Sequence, residues 1–185
     1  MAAQGAGGLW WQPSRRTGLT LGLRPAVAPA GERPYRQPSS MHRLDTQIEI
    51  NASAERVWSI LMDFPGHARW NPFVRSIEGV PTVGKSLSVF IQPAGSTGMR
   101  FRPTVLVVEP KREFRWKGKF VIPGIFDGEH FFKLEPKSDT QLVFHQCEMF
   151  SGLLVPFLRR SLDGATKQGF VAMNEALKRE AEGEG

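Results

Sequence analysis

A change in the spacing of apolar residues along the chain constrains the fold most. Between residues 44 and 150 the apolar side chains fall into short β-rich runs, whereas from residue 153 onward they recur at every third or fourth position. Turns rich in Pro, Gly and Asp separate the runs, which is typical of an antiparallel meander. The predicted strands span residues 44–50, 73–78, 86–92, 99–109, 113–120, 129–135 and 140–150.

Helical segments are predicted at two places. Ser53 is a suitable N-cap for a first short helix, and a second short helix runs from His67 to Trp70. One long amphipathic helix is predicted from Leu153 to Glu182, with Pro156 in its first turn, where a missing N–H does no harm. The predicted fold is therefore α+β: a curved six- to seven-stranded antiparallel sheet wrapped around a long C-terminal helix, with two short helices after strand 1. Such a sheet leaves a cavity against the helix.

The charge separates two regions of the chain. Residues 1–40 hold five Arg and one Glu, a net charge of +4, whereas residues 41–185 hold 19 basic and 17 acidic residues, a net charge of +2. Residues 1–40 also contain no Phe or Ile, so we expect a disordered N-terminal extension followed by one domain, 41–185. Three interpretations of the extension stay open: a transit peptide, a weak twin-arginine export signal, or a non-functional extension with Met41 as the true start.

Several function classes are disfavoured by composition. No apolar run reaches about 18 residues, so no membrane span is predicted. The nearly neutral domain shows no basic stripe for nucleic acid. The single cysteine, Cys147, forms no cluster, and His130 and His145 fall on opposite faces of their strands, so no metal site and no cofactor are predicted. The expected location is cytoplasmic, or organellar or exported if residues 1–40 are a targeting leader. A monomer is compatible with the sequence.

An ordered set of motifs resembles a known superfamily. It comprises 54–58 (AERVW), 70–73 (WNPF), 101–103 (FRP), 114–118 (FRWKG), 128–132 (GEHFF) and 144–153 (FHQCEMFSGL). Together they resemble the polyketide cyclase/dehydrase branch of the START-like (SRPBCC, helix-grip) superfamily, from Ile48 to about Ala181. The resemblance implies the helix-grip fold. Its implication for function is broader, because members bind lipids, sterols, quinones, polyketides or hormones, and a minority are enzymes.

His130 and Glu148 are the candidate catalytic pair. Strand alternation places His130, Phe132 and Leu134 on one face, and Phe144, Gln146 and Glu148 on the facing side of the next strand. Counting outward from the turn at Asp139 brings His130 close to Gln146 or Glu148. A His beside a carboxylate in an apolar pocket suits proton transfer, although the sequence favours the other explanation, a polar pair that fixes the strand register.

Ligand-binding candidates follow from the predicted inner face. The Trp116 indole N–H suits a ligand carbonyl, and Trp70 suits the cavity mouth. Gly164 and Gly169 either leave room for a ligand or let the helix approach the sheet. The full candidate set is Trp70, Phe73, Phe114, Trp116, Phe132, Phe144, Gln146, Leu158, Leu162 and Met173.

Three functions remain open at this point. The first is a module that binds a hydrophobic or amphipathic small molecule, such as a lipid, quinone or polyketide, in a cavity on the order of several hundred Å³. The second is a cyclase or dehydratase in which His130 and Glu148 transfer protons. The third is a partner-binding protein that uses the exposed sheet face. The sequence leaves catalysis undecided and favours the non-enzymatic binding module.

Overall fold

The computed structural model describes residues 41–119 and 124–183. The strands are β1 (Met41–Ile50), β2 (Val74–Glu78), β3 (Ser88–Ile91), β4 (Met99–Phe101), β5 (Thr104–Glu109), β6 (Glu113–Lys119), β7 (Asp127–Ser138) and β8 (Gln141–Ser151). The helices are α1 (Ala54–Met62), α2 (His67–Trp70), α3 (Val155–Ser161) and α4 (Lys167–Glu182). The predicted disordered leader, residues 1–40, lies outside the described residues. No helix in the described part of the chain is long and apolar enough to span a bilayer.

The strands form two antiparallel sheets. The larger sheet has the order β1-β8-β7-β6-β5, and the smaller has the order β2-β3-β4. The two meet where Ser86 pairs with Thr104. The predicted α+β class, the antiparallel topology and the C-terminal helix are confirmed, but the described chain has eight strands rather than six or seven.

Pro103 accounts for the additional strand. The sequence pattern predicts one strand over 99–109, whereas β4 ends at Phe101 and β5 begins at Thr104. Pro103 has no N–H for a strand ladder. Its carbonyl instead accepts a hydrogen bond from the N–H of Leu87 (2.9 Å). The interruption lets the chain pass from the small sheet to the large one.

The C-terminal helical segment has a break that the sequence pattern does not predict. Pro156 lies in the first turn of α3, as expected. A single π-helical turn, Leu162–Thr166, then joins α3 to α4. α4 buries Phe170, Met173 and Leu177 at helical spacing and is capped at its C-terminus by Gly183, whose φ is 82°. These buried side chains of α4 form one side of the protein's interior.

A buried polar cluster fixes the turn from α2 into β2. Nε2 of His67 donates to the carbonyl of Leu61 (2.9 Å), and Nδ1 accepts from the side-chain amide of Asn71 (3.2 Å). Oδ1 of Asn71 then accepts the N–H groups of Phe73 and Val74. Because His67 is fully buried, desolvation lowers its pKa, although hydrogen bonds to backbone carbonyls act in the opposite direction. His67 and Asn71 therefore have a structural role.

Candidate functional site

The central β7–β8 pair carries the candidate site. Its register places His130 opposite Glu148 and Phe132 opposite Gln146. His130, Phe132 and Gln146 are buried on the face that looks toward α4. The next residue of each strand points outward, so Phe131 and Cys147 lie on the outer face.

The His130 and Glu148 side chains lie in contact. Nδ1 of His130 is 3.3 Å from Oε2 of Glu148, and the two side chains are 5% and 18% exposed. A carboxylate can only accept here, so Nδ1 of His130 is the donor in this contact. The pair therefore has a buried imidazole end and a carboxylate end that reaches solvent.

Gly128 makes room for the Glu148 carboxylate. A Cβ atom placed on Gly128 would lie 2.5 Å from Oε1 of Glu148. The carboxylate thus packs directly over the glycine backbone on the neighbouring strand. Any side chain at position 128 would clash with the Glu148 carboxylate in its present position.

Aromatic rings enclose the imidazole of His130. Trp116 stacks on it nearly in parallel, with ring centroids 5.1 Å apart and planes 10° apart. Phe132 and Phe170 both meet it edge-on, at 4.6 and 5.1 Å. These contacts hold the ring plane and shield it from water, so Nε2 can face only the interior.

Gln146 is the polar group beyond the imidazole. Its Nε2 lies 3.5 Å from Nε2 of His130 and 3.5 Å from the sulfur of Met173. Among the described residues, Oε1 of Gln146 has no hydrogen-bond partner, although the side chain is fully buried. An unpaired buried carbonyl costs about 1–3 kcal/mol, and this oxygen is an acceptor without a donor in a mostly apolar interior.

The other candidate residues fall into three groups. Phe114 and Phe144 extend the aromatic row on either side of Trp116 and Phe132. Leu162 is buried in the π-helical turn, and Phe73 packs on Phe170. Trp70 and Leu158 lie further out. Trp70 packs on His67, and its buried indole N–H has no acceptor among the described residues; Leu158 is 37% exposed on α3.

Side chains pack closely between α4 and the sheet near Gly169. A Cβ on Gly169 would lie 2.2 Å from Phe73, so this glycine permits close packing rather than leaving space. Two depressions formed by the described residues lie outside this interior. One, of about 470 Å³, is on the outer sheet face beside Asp45 and Cys147, and the other, of about 360 Å³, follows the exposed side of α4. A ligand bound beside Gly169 would therefore displace the ring of Phe73.

Sequence reasoning missed two residues of the site. Phe170 falls three positions before Met173 and seven before Leu177, so its helical spacing was a sufficient signal. Gly128 offers a weaker signal, a glycine inside a strand, which often marks a close approach of another group.

Comparison with known proteins identifies one family that matches most of the chain. Residues 41–182 match the family described as polyketide cyclase / dehydrase and lipid transport. No curated protein matches the chain significantly.

Solved structures share the fold at low sequence identity. The Zhui aromatase/cyclase from Streptomyces sp. R1128 is 18% identical, with a TM-score of 0.64, over 77% of this chain and 94% of that one. A START superfamily protein from Mycobacterium smegmatis is 20% identical, with a TM-score of 0.59, over 78% and 99%. Norcoclaurine synthase from Thalictrum flavum is 13% identical, with a TM-score of 0.59, over 78% and 97%. Because the family match spans most of the chain and the fold agrees, the protein belongs to the polyketide cyclase/dehydrase and lipid transport family.

Proposed function

We propose that the protein binds a hydrophobic or amphipathic small molecule between α4 and the large sheet. The observation that carries this proposal is the buried, unpaired Oε1 of Gln146 within an aromatic interior. A lipid, quinone or polyketide with a hydroxyl group would satisfy that oxygen and place its apolar part against Trp116 and Phe132. Membership of a family described by polyketide chemistry and lipid transport supports this ligand class.

A ligand would reach the interior by displacing side chains that can change conformation. Glu148 is the more exposed member of the polar pair, so a ligand approaches the site from its side. Met173 lies against Gln146, and its unbranched side chain can adopt other rotamers at small cost. Displacement of Met173 would open space beside the Gln146 amide.

Native mass spectrometry of the full chain purified from its own host tests the binding function. We expect a co-purifying molecule of lipid, quinone or polyketide type. Titration with oleate, decylubiquinone and emodin, followed by tryptophan fluorescence, then measures affinity. Absence of a bound molecule together with no response to any of the three would refute the proposal.

Gln146→Leu tests the anchoring role of the amide. This change keeps the side-chain volume and removes the acceptor, so the affinity for the responding compound should fall by about tenfold. His145→Gln is the matched control, because residue 145 lies on the outer face of the same strand and should leave affinity unchanged. Equal affinities for the two variants would remove Gln146 from the binding site.

A cyclase or dehydratase is the second candidate, and the contact between His130 and Glu148 favours it. Glu148 would hold the imidazole tautomer, and Nε2 would take a proton from the carbon between two carbonyl groups of the substrate. The resulting carbanion would add to a third carbonyl of the same chain, and the new alkoxide would recover the proton from His130. Loss of that hydroxyl with a neighbouring hydrogen would release water.

His130→Gln and Glu148→Gln test this second function. Once a substrate that the protein converts has been found, both variants should lower kcat by about a hundredfold or more. The midpoint of urea unfolding should change little. His145→Gln again serves as the control on the outer face. Unchanged turnover in His130→Gln would exclude the imidazole from the mechanism and leave the binding function standing.

A further inference from the structure

The start of α3 presents apolar side chains to solvent. Leu153, Leu154, Phe157 and Leu158 are 73%, 44%, 83% and 37% exposed, and we call these four residues the α3 patch. Leu153 and Leu154 precede α3, Phe157 and Leu158 follow four positions later in its first turn, and Val155 between them is buried. Other exposed apolar side chains, such as Val80 and Val83, occur in a different part of the chain. Four exposed apolar side chains within six residues of the chain are typical of an interaction surface.

The backbone holds the α3 patch in place. The N–H groups of Leu153 and Leu154 donate to the carbonyls of Gly124 and Ile125, at 3.2 and 3.0 Å. Gly152 turns the chain with a φ of 125°, and a Cβ there would lie 2.4 Å from the carbonyl oxygen of Ile125. These contacts anchor the backbone at the start of the α3 patch to residues 124 and 125.

Positive charge adjoins the α3 patch. Arg159 and Arg160 occupy the last turn of α3, and residues 152–162 contain no acidic residue. Asp163, the next acid along the chain, is hydrogen-bonded to His42 at 2.8 Å. Apolar side chains beside guanidinium groups match the layered chemistry of a bilayer surface, in which acyl chains lie below anionic headgroups. An isologous contact between two copies would instead bring the arginines toward each other.

We propose that the α3 patch docks the protein on an anionic lipid bilayer surface. Phe157 and Leu153 insert at the boundary of headgroups and acyl chains, while Arg160 lies among the headgroup phosphates. This surface is separate from the His130 and Glu148 pair, so the proposal stands whether or not a molecule binds in the interior.

Co-sedimentation of the full chain with vesicles tests the docking surface. One set contains phosphatidylcholine alone, and the other contains about one-third phosphatidylserine. We expect binding to the second set that weakens with salt. Phe157→Glu should lower the partition coefficient about tenfold or more, and Arg160→Gln roughly fivefold. Val83→Glu is the matched control, because Val83 is 60% exposed outside the patch and should bind nearly as wild type.

Each alternative gives a distinct result. Equal losses in Phe157→Glu and Val83→Glu, or no loss in either, would overturn the proposal and assign any binding to other cationic residues such as those in 1–40. Binding that is equal for both vesicle types would refute the anionic requirement. No vesicle binding, with a mass that doubles at high concentration and returns to monomer in Phe157→Glu, would overturn the proposal and assign the patch to a second copy.

Discussion

Gly169→Ala tests how closely α4 approaches the sheet. The added methyl would lie 2.2 and 2.5 Å from two ring atoms of Phe73, well inside van der Waals contact. Phe73 is 3% exposed and meets Phe170 edge-on at 5.5 Å, so its ring has little room to move. Overpacking of this severity costs about 3 kcal/mol, while alanine gains about 1 kcal/mol of helix propensity. The free energy of unfolding should fall by about 2 kcal/mol.

Gly164→Ala is the matched control. A Cβ on Gly164 meets nothing within 4 Å, so alanine should stabilise the protein by up to about 1 kcal/mol. Urea unfolding at equal m-value would separate the two variants by roughly 1 M or more in midpoint. Phe73→Leu shortens the opposing ring, so the further change Gly169→Ala should cost less in that background than in wild type. Equal stability of the two alanine variants would refute the packing argument.

Three further predictions concern buried and capping groups. Burial lowers the pKa of His67 below its usual 6.5, so the unfolded chain binds a proton more readily than the native one. The free energy of unfolding should therefore be highest above about pH 6.5 and fall below it. His67→Gln should reduce that fall, as measured by urea titrations at several pH values. Burial, together with a hydrogen bond to Asp45, raises the pKa of Cys147 to about 12, so iodoacetamide at about pH 8 should label it far more slowly in native protein than in urea. Ser53→Ala removes the acceptor for the N–H of Arg56 and should cost about 1 kcal/mol by thermal melting.

The faces of the central strands could be predicted from the sequence because strand side chains alternate strictly. The large apolar residues of β7 and β8 identify one inner face, and the short turn near Asp139 then brings His130 opposite Glu148 within one or two positions. Helical spacing likewise predicts Met173 on the inner face of α4. These inferences use only local geometry and one turn.

Other features depend on contacts between distant segments. Nothing local to Phe73 indicates that its ring fills the space above Gly169, nearly a hundred residues away. The sequence likewise shows Gly128 only as a glycine within a strand, and its contact with the Glu148 carboxylate becomes evident only in the structure. The π-helical turn at Leu162–Thr166 also lies within an uninterrupted helical pattern. Such close approaches follow from three-dimensional packing, which periodicity does not encode.

The pairing of β1 with β8 has a consequence for the order of folding. Met41 pairs with Ser151 and Ile50 with Leu142, so the partners are between 92 and 110 residues apart in the chain. Among the described residues, β8 is the only strand that pairs with β1. At a synthesis rate of about 5–20 residues per second, β8 is made roughly 5–20 s after β1. The β7–β8 hairpin, whose strands are joined by a short turn, can form first and then template β1. Addition of β1 at the edge of the sheet, along β8, is thus a late step.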